Sequence, residues 1–412
     1  MNPSGKKSLV VLGTGFGASG LLRKIDPSLY TITVVSPRNH FLFTPLLPST
    51  AVGTIEFRSI IEPIRGKRLS LQYYQASCES VLAGRSRIRC VGELDGNRFE
   101  LPYDDLVIAV GAVVSTYGIP GVREHAFFLK EISDSRRIRQ GIIECFEGAA
   151  QPDIPADERK RLLTFVVVGG GPNGVEFAAE LHDFLVEDLK RIYPSLFPDV
   201  RIILLEAGKQ ILTTFDRSLS EFTTQHFRRQ NIEVRTDSTV TRVGKTVVRV
   251  KNGSGIPYGL IVWSTGVGMS DFVRNLPFAR DASSRILVDS YFRVLKQDNV
   301  YALGDCAAIS GLGLPATAQV AQQEGLYLGR ALNRIARGRP ARRFEYRDLG
   351  MLAYIGGRKA LADLAAVKSK GFSSFLFWRS AYFTRLVTFR NKTLVLFDWM
   401  KTILFGRDVS RF

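Results

Sequence analysis

Short apolar runs, each cut off by glycine, set the rhythm of this chain. Residues 8–14 pass from β-forming positions into a glycine turn, "ASGLLRKID" follows with helical spacing, and "TITVVS" (31–36) is a second run rich in β-branched residues. Together they predict a strand–turn–helix–strand unit of about thirty residues. The pattern returns in "LLTFVVVGGGPNGVEFAAEL" (162–181), where four β-formers lead through a glycine turn into a helix, and "VRIILLEA" (200–207) supplies the next strand. The second crossover is the longer one, and "DFLVEDLKRIYPSLFPD" predicts an extra helical turn or two and a loop.

The glycines in these turns have a chemical reason. Gly13 and Gly15 let the backbone curl closely under a pyrophosphate, whose charge then meets the N–H groups of a helix N-terminus; Ala18 stands where a third glycine is usual. Gly169, Gly171 and Gly174 complete the full G-x-G-x-x-G spacing in the second unit. Two such turns in strand–turn–helix context imply two bound dinucleotides, and redox chemistry is the usual reason for that. The second strand of the later unit ends in Glu206, placed to accept from a ribose diol and to repel a 2′-phosphate, which favours NADH over NADPH, although nearby Lys209 softens the argument. The first unit has Ser36 at the corresponding strand end, with Arg38 beside it. "YDDLVIAVGA" (103–112) and "YGLIVWSTGVG" (258–268) are strands ending in glycine, suited to cross back over a nucleotide domain, and "VYALGDCA" (300–307) sets Asp305 after Gly304, where a carboxylate can hold a ribitol hydroxyl. Taken singly these are ordinary buried strand ends; their order around the two turns points to a flavin.

Length and charge change the picture in two ways. At 412 residues and 45% hydrophobic, the chain is too long for one core and suits two or three domains. The net charge of +17 favours an anionic partner, such as nucleic acid, anionic lipid or an acidic substrate. Much of it sits at the end: residues 340–412 hold 14 Lys and Arg against 5 Asp and Glu. The four cysteines form no C-x-x-C pair and no His lies at ligand spacing, so reduced thiols and no metal site are expected. No run of 18 uncharged apolar residues predicts a membrane-spanning helix. The start, "MNPSGKKS", has neither an apolar signal core nor a long Arg/Ser-rich character, so no clear targeting peptide is expected.

The last stretch carries Phe375, Trp378, Tyr382 and Leu386 at helical spacing, with Arg379, Arg385, Arg390, Lys392 and Lys401 interleaved. Such a helix suits a lipid headgroup boundary, and equally suits packing its aromatic stripe on a core.

At this point the sequence resembles the two-dinucleotide-binding flavoproteins, and within them the type II (alternative) NADH:quinone oxidoreductases of the mitochondrial-type branch. The likeness runs nearly the whole length and is most specific in "SPRNHFLFTPLLPSTAVGTIEFRSIIEPIR" (36–65), "VVVGGGPNGVEFAAEL" (166–181), "LPATAQVAQQEGLYLGRAL" (314–332) and residues 375–412. It implies an α/β fold of two Rossmann-like domains: FAD-binding over 1–150 and 286–345, NADH-binding over 151–285, and a C-terminal amphipathic membrane-anchoring module over 346–412. FAD, bound non-covalently, would touch Gly13, Gly15, Phe16, Gly17, Ala18, Ser36, Pro37, Arg38, Thr44, Pro45, Leu46, Ala109, Gly111, Gly304 and Asp305. NADH, as substrate, would touch Gly169, Gly171, Pro172, Asn173, Gly174, Glu206, Thr265 and Gly266.

By the same resemblance Glu176 lies near the nicotinamide, and Gln319, Gln322 and Gln323 face the quinone, with Glu176, Gln319 and Gln323 as the catalytic candidates. Related chains often carry His where Gln322 stands, so a proton role there is in doubt. The bland alternatives are a helix-dipole role for Glu176 and helix capping for the glutamines. The implied activity passes two electrons from NADH through FAD to a membrane quinone, ubiquinone by expectation, without proton pumping. The implied setting is a homodimer held on the lipid surface of the mitochondrial inner membrane through its C-terminal helices, with no nucleic acid. Two rivals stand beside it. A flavin-dependent sulfide or disulfide reductase needs paired cysteines after the first turn, where residues 15–30 hold none, leaving Cys306 beside Asp305 without an evident partner. A cell-death effector needs its basic charge spread over one face.

Overall fold

The computed structural model describes residues 5–65, 70–364, 367–386 and 388–410. The chain divides into two compact units, Met1–Leu42 with Ile61–Val113 and Val267–Arg347, and Phe43–Ile60 with Val114–Gly266 and Asp348–Phe412.

The first unit is built on a seven-stranded sheet in the order Val300–Ala302, Asp105–Ile108, Lys7–Leu12, Tyr30–Ser36, Leu71–Leu82, Arg87–Gly92, Arg98–Pro102. The first five strands run parallel. The last two close an antiparallel meander. Leu9, Val10, Val11 and Leu12 are buried on both faces, as the unbroken apolar run requires of a strand covered on both sides. The second unit repeats the theme with an all-parallel sheet ordered Phe127–Phe128, Leu260–Trp263, Thr164–Val168, Arg201–Leu205, Ile232–Arg235. The long crossover continues the helix Pro172–Phe184 through a wider turn, Leu185–Leu189, and on to Ile192.

The compact units cut the chain differently from the expected domain bounds. Residues 114–150 group with the second unit because the helix Ile132–Ala149 buries Ile138, Ile142 and Phe146 there, with Phe146 stacked 6.1 Å from Phe165. Residues 267–285 group with the first, where Val273, Leu276 and Phe278 join its core.

The C-terminal stretch also belongs to the second unit. An antiparallel sheet, Met351–Gly356, Lys359–Asp363 and Lys368–Gly371, leads into the helices Phe372–Arg385 and Phe389–Phe405. Here the aromatic stripe takes the packed alternative. Phe375, Trp378, Tyr382 and Leu386 are only 3–8% exposed, and Trp378 lies 5.4 Å from the Tyr354 ring. Arg379 is spent over the rings of Phe375 and Trp399, and Lys401 pairs with Glu56. The apolar side chains left in the open are others: Phe372, Leu376, Phe377, Phe389, Leu396, Phe397, Met400, Ile403, Leu404 and Phe405, 46–85% exposed. The last helix is thus amphipathic with its apolar face outward. Its polar side is the anchored one, through Asp398 to Ser59 and the Glu56 N–H, and through Asn391 to the Ser59 carbonyl. Among the described residues no helix is long and apolar enough to cross a membrane.

Candidate active site

Gly13 turns at φ +104°, and a side chain there would place its Cβ 2.3 Å from the carbonyl oxygen of Ala109. Ala109 in turn donates its N–H to Leu12 (2.9 Å), so the strand end crosses directly beneath the turn. Gly15, which caps the helix Phe16–Leu22, has nothing within 4 Å of its would-be Cβ. The helix N-terminus therefore opens onto free space where an anion can approach the backbone. Phe16 meets Phe41 edge-on at 5.0 Å, and Ala18 is fully buried, so its methyl serves the packing role of a third glycine. At the next strand end Ser36 Oγ accepts from the Arg38 N–H (3.2 Å) and lies 3.3 Å from Thr14 Oγ1, which draws Pro37 and Arg38 beside the turn. Thr44, Pro45 and Leu46 form a tight 3-10 turn in the other compact unit.

The glutamine-bearing helix, Ala318–Ala336, packs on this first helix backbone to backbone. A Cβ on Gly325 would sit 2.0 Å from the Gly17 carbonyl, and one on Gly20 would sit 2.7 Å from the Gln322 carbonyl. The contact fixes the glutamines relative to the turn. Two of them tie down a non-helical segment and do not cap a helix: Gln319 donates to Tyr346 Oη (2.5 Å), and Gln323 exchanges bonds with both backbone groups of Arg347 (2.8 and 3.1 Å). Gln322 is half-buried on the same helix. Glu324, which sequence reasoning passed over, is nearly buried and accepts from the Gly304 N–H at 2.6 Å. Burial pushes its carboxyl up to about 7, the Gly304 bond works against that, and neighbouring Asp305 adds to it. Its signal was the one acid inside "AQVAQQEG", on the buried side of an amphipathic helix.

The second turn repeats the first. Gly169 adopts φ +110° with its would-be Cβ 2.3 Å from the Ser264 carbonyl, Gly171 is open, and a Cβ on Gly174 would lie 2.0 Å from the Gly169 carbonyl. Pro172 starts the helix, where its missing N–H costs nothing. Asn173 donates to Ser264 Oγ (3.0 Å), and Thr265 and Gly266 are both held by Ser115, through Thr265 Oγ1 to its carbonyl and through its N–H to Gly266. Glu206 sits at the expected strand end with both oxygens engaged: Oε2 accepts from the Gly170 N–H and Oε1 from the Gly208 N–H, each at 2.6 Å. The carboxylate is therefore oriented before any ribose arrives, and each oxygen keeps a lone pair for it.

Glu176, Glu180 and Asp183 lie at i, i+4 and i+7 of the helix Pro172–Phe184, and all three are buried. Glu176 is not a solvated partner of the helix dipole. Its Oε1 accepts from the Tyr354 N–H (3.0 Å) and Trp378 Nε1 (3.3 Å), while burial raises its carboxyl to about 8 against those two bonds. Glu180 accepts from Ser49 (2.6 Å) and Thr54 (2.8 Å), and Asp183 from Tyr354 Oη (2.5 Å) and the Gly357 N–H. Arg407 closes the far end, 2.7 Å from Asp188. Only Glu176 was singled out from the sequence; the i, i+4, i+7 spacing of acids inside an apolar run was the available signal for the rest. Cys306 is fully buried, donates to the Leu303 carbonyl (3.3 Å), and has its thiol pushed up to about 12 by desolvation, which leaves it unreactive.

Residues 7–325 match the family described as pyridine nucleotide-disulphide oxidoreductases, and residues 349–408 match the NDH2 C-terminal domain. A Dictyostelium discoideum protein called a probable NADH dehydrogenase is 47% identical, with 98% of this chain and 91% of that protein covered. The chain belongs to the type II, or alternative, NADH dehydrogenases. Another member, the mitochondrial external NADH-ubiquinone oxidoreductase 2 of Saccharomyces cerevisiae, is 41% identical over 98% of this chain and 82% of its own length. The fold of the type II enzyme extends to a solved relative, NDH2 of Plasmodium falciparum in complex with NADH, at TM-score 0.93 and 28% identity, covering 98% of this chain and all of that one.

Proposed function

We propose that this chain oxidises NADH and reduces a membrane quinone, ubiquinone by the names of its relatives, through non-covalently held FAD and without pumping protons. The observation that carries the reading is the paired glycine cradle: two turns of one geometry, each with its first glycine pressed on a crossing strand and its second open to an anion. The first cradle fits FAD, with Gly13, Gly15, Phe16, Gly17 and Ala18 under the pyrophosphate, Ser36, Pro37 and Arg38 toward the adenosine, and Ala109, Gly111, Gly304 and Asp305 toward the flavin. Thr44, Pro45 and Leu46 belong to the same set. When bound, FAD supplies the relay that takes a hydride from a nicotinamide and returns two electrons to a quinone. The second cradle, with Pro172, Asn173, Thr265 and Gly266, seats NADH, and Glu206 selects it over NADPH. In terms of the compact units, Met1–Leu42 with Ile61–Val113 and Val267–Arg347 carries the FAD cradle, and Val114–Gly266 carries the NADH cradle.

The protein's own part is positioning and proton handling. Burial raises the Glu176 carboxyl to about 8, which favours its protonated form near neutral pH, and because Oε1 already accepts two N–H groups, Oε2 is the oxygen open to a proton. The glutamine helix presents Gln319, Gln322 and Gln323 on one face, i, i+3 and i+4, toward the quinone side. Gln319 and Gln323 also keep the 346–347 segment on that helix. The exposed apolar face of the last two helices, with Arg390 beside it, lies at the lipid headgroup boundary of the mitochondrial inner membrane, and the protein is a homodimer.

The test is NADH oxidation by detergent-solubilised protein with and without a short-chain ubiquinone, while the flavin absorbance is followed. Quinone-dependent turnover with bleaching and return of that band is expected. Reduction by NADH that quinone cannot reverse would overturn the proposal.

A further inference from the structure

We propose that Cys78 and Cys90 form an oxidisable site that a peroxide converts to a cross-strand disulfide. The two residues lie on neighbouring antiparallel strands of the first unit, Leu71–Leu82 and Arg87–Gly92, and stand directly opposite each other in register. Directly opposed antiparallel residues have Cα atoms about 4.5–5.5 Å apart and side chains on one face. A disulfide needs roughly 4.4–6.8 Å, so no backbone movement is required to close one. The Cys78 thiol donates to the Ser80 carbonyl (3.5 Å), and the two facing thiols shift each other's acidity. Cys90 is part of the core, while Cys78 is only partly buried against it.

Access comes from the next pair along the same face. Ala76 opposes Gly92, and both line an open cavity of about 460 Å³ whose other walls include Tyr73, Tyr74 and Phe99. A small oxidant in that cavity is one residue pair from the thiols. Their mutual influence also assigns the roles: it holds Cys90 below the usual thiol range and, with burial, leaves Cys78 above it. The Cys90 thiol first gives its proton to solvent; the thiolate attacks one peroxide oxygen, the O–O bond breaks, and the departing hydroxide takes a proton back from solvent as water. The Cys78 sulfur then attacks the Cys90 sulfenic sulfur, and the second hydroxide leaves with the Cys78 proton as water. The sum is two thiols oxidised, one hydrogen peroxide reduced, one disulfide and two waters. The bond staples the two strands and limits the unfolded chain, so the closed form unfolds at a higher temperature.

The other two thiols are internal controls, since Cys145 and Cys306 are both buried, each in a different compact unit, and desolvation pushes both up to about 12. The FAD-loaded enzyme is treated with hydrogen peroxide, then denatured in an alkylating reagent and mapped by mass spectrometry. The expected result is two of the four thiols protected, a loss of two hydrogens in mass, one linked peptide pair joining Cys78 to Cys90, and full reversal by dithiothreitol. Cys78→Ser abolishes the link and leaves Cys90 as a sulfenic acid that dimedone traps. Four alkylated thiols, oxidation to sulfinic acid without a link, or links made equally by Cys145 or Cys306 would overturn the assignment. Cys78 lies on the partly exposed side of the pair, and Cys78→Ala repeats the test without a hydroxyl in the core.

Discussion

The backbone N–H of Tyr354 reaches Oε1 of Glu176 across 3.0 Å, tying the C-terminal sheet to the helix that follows the second glycine turn. A group that belongs to one sequence segment is thereby buried by another. Burial is what holds this carboxyl at about 8 instead of the ordinary 4.5.

That shift makes a stability prediction. Folded Glu176 keeps its proton up to about pH 8, while the unfolded chain loses it near 4.5. Between those values the folded state binds more protons, so stability falls as pH rises through the window and the loss is complete above it. Glu324, raised to about 7 by the same cause, shares the lower part, and burial raises Glu180 in the same direction. Glu176→Gln keeps an acceptor for Tyr354 and Trp378 and cannot ionise. Urea unfolding at several pH values should show a slope shallower by about 1.4 kcal/mol per pH unit in the variant. Parallel slopes for the two proteins would exclude a buried neutral Glu176.

Much of this was legible in the sequence, and the reason is local. Gly13 and Gly169 are required by the turn itself, and Glu206 by the end of its strand, so spacing along the chain sufficed. What spacing cannot give is which face of a helix meets a partner far away in sequence. Phe375, Trp378 and Tyr382 showed helical period, yet period alone does not say whether the stripe faces lipid or Tyr354. Glu180 and Asp183 were passed over because their donors, Ser49, Thr54 and Gly357, come from segments more than a hundred residues away. The compact units departed from the expected bounds for the same reason: Ile138, Ile142 and Phe146 are apolar in any assignment, and only packing tells which core they fill.

The contact of Gly325 with Gly17 gives a second expectation. A methyl on Gly325 would lie 2.0 Å from the Gly17 carbonyl, and backbone cannot yield as a side-chain tip can. Gly325→Ala should therefore cost about 1–3 kcal/mol and weaken flavin retention, because the helix it displaces packs on the first cradle. Thermal unfolding with and without added FAD measures both. A variant as stable as the parent, with full flavin content, would show that the two helices separate freely.

Glu206 makes a third. Both its oxygens accept backbone N–H groups, from Gly170 and Gly208. Glu206→Gln removes the charge that repels a 2′-phosphate and turns an amide NH2 toward one of those donors, leaving it unpaired. The kcat/KM for NADH should fall while the NADPH-to-NADH ratio rises about tenfold, or about 1.4 kcal/mol. An unchanged ratio would move the selectivity elsewhere.

The outward face of the last helix makes the fourth. Phe397 is 62% exposed and Leu404 is 69% exposed, while the opposite side is anchored by Asp398 and Asn391. A helix that spends its polar side on protein and leaves its apolar side bare gains most by burying that side elsewhere. Each such side chain contributes about 1.5–3 kcal/mol when fully buried. Phe397→Glu with Leu404→Glu should weaken flotation with vesicles of mixed zwitterionic and anionic lipid about a hundredfold or more. Both positions are solvent-facing, so unfolding temperature and detergent-phase turnover with short-chain ubiquinone should stay near those of the parent. Salt should weaken the parent's binding further, because Arg390 and Lys392 sit among the exposed apolar residues. If vesicle binding survives the double substitution while the sedimentation coefficient drops, the face pairs with a second copy and the lipid contact lies elsewhere.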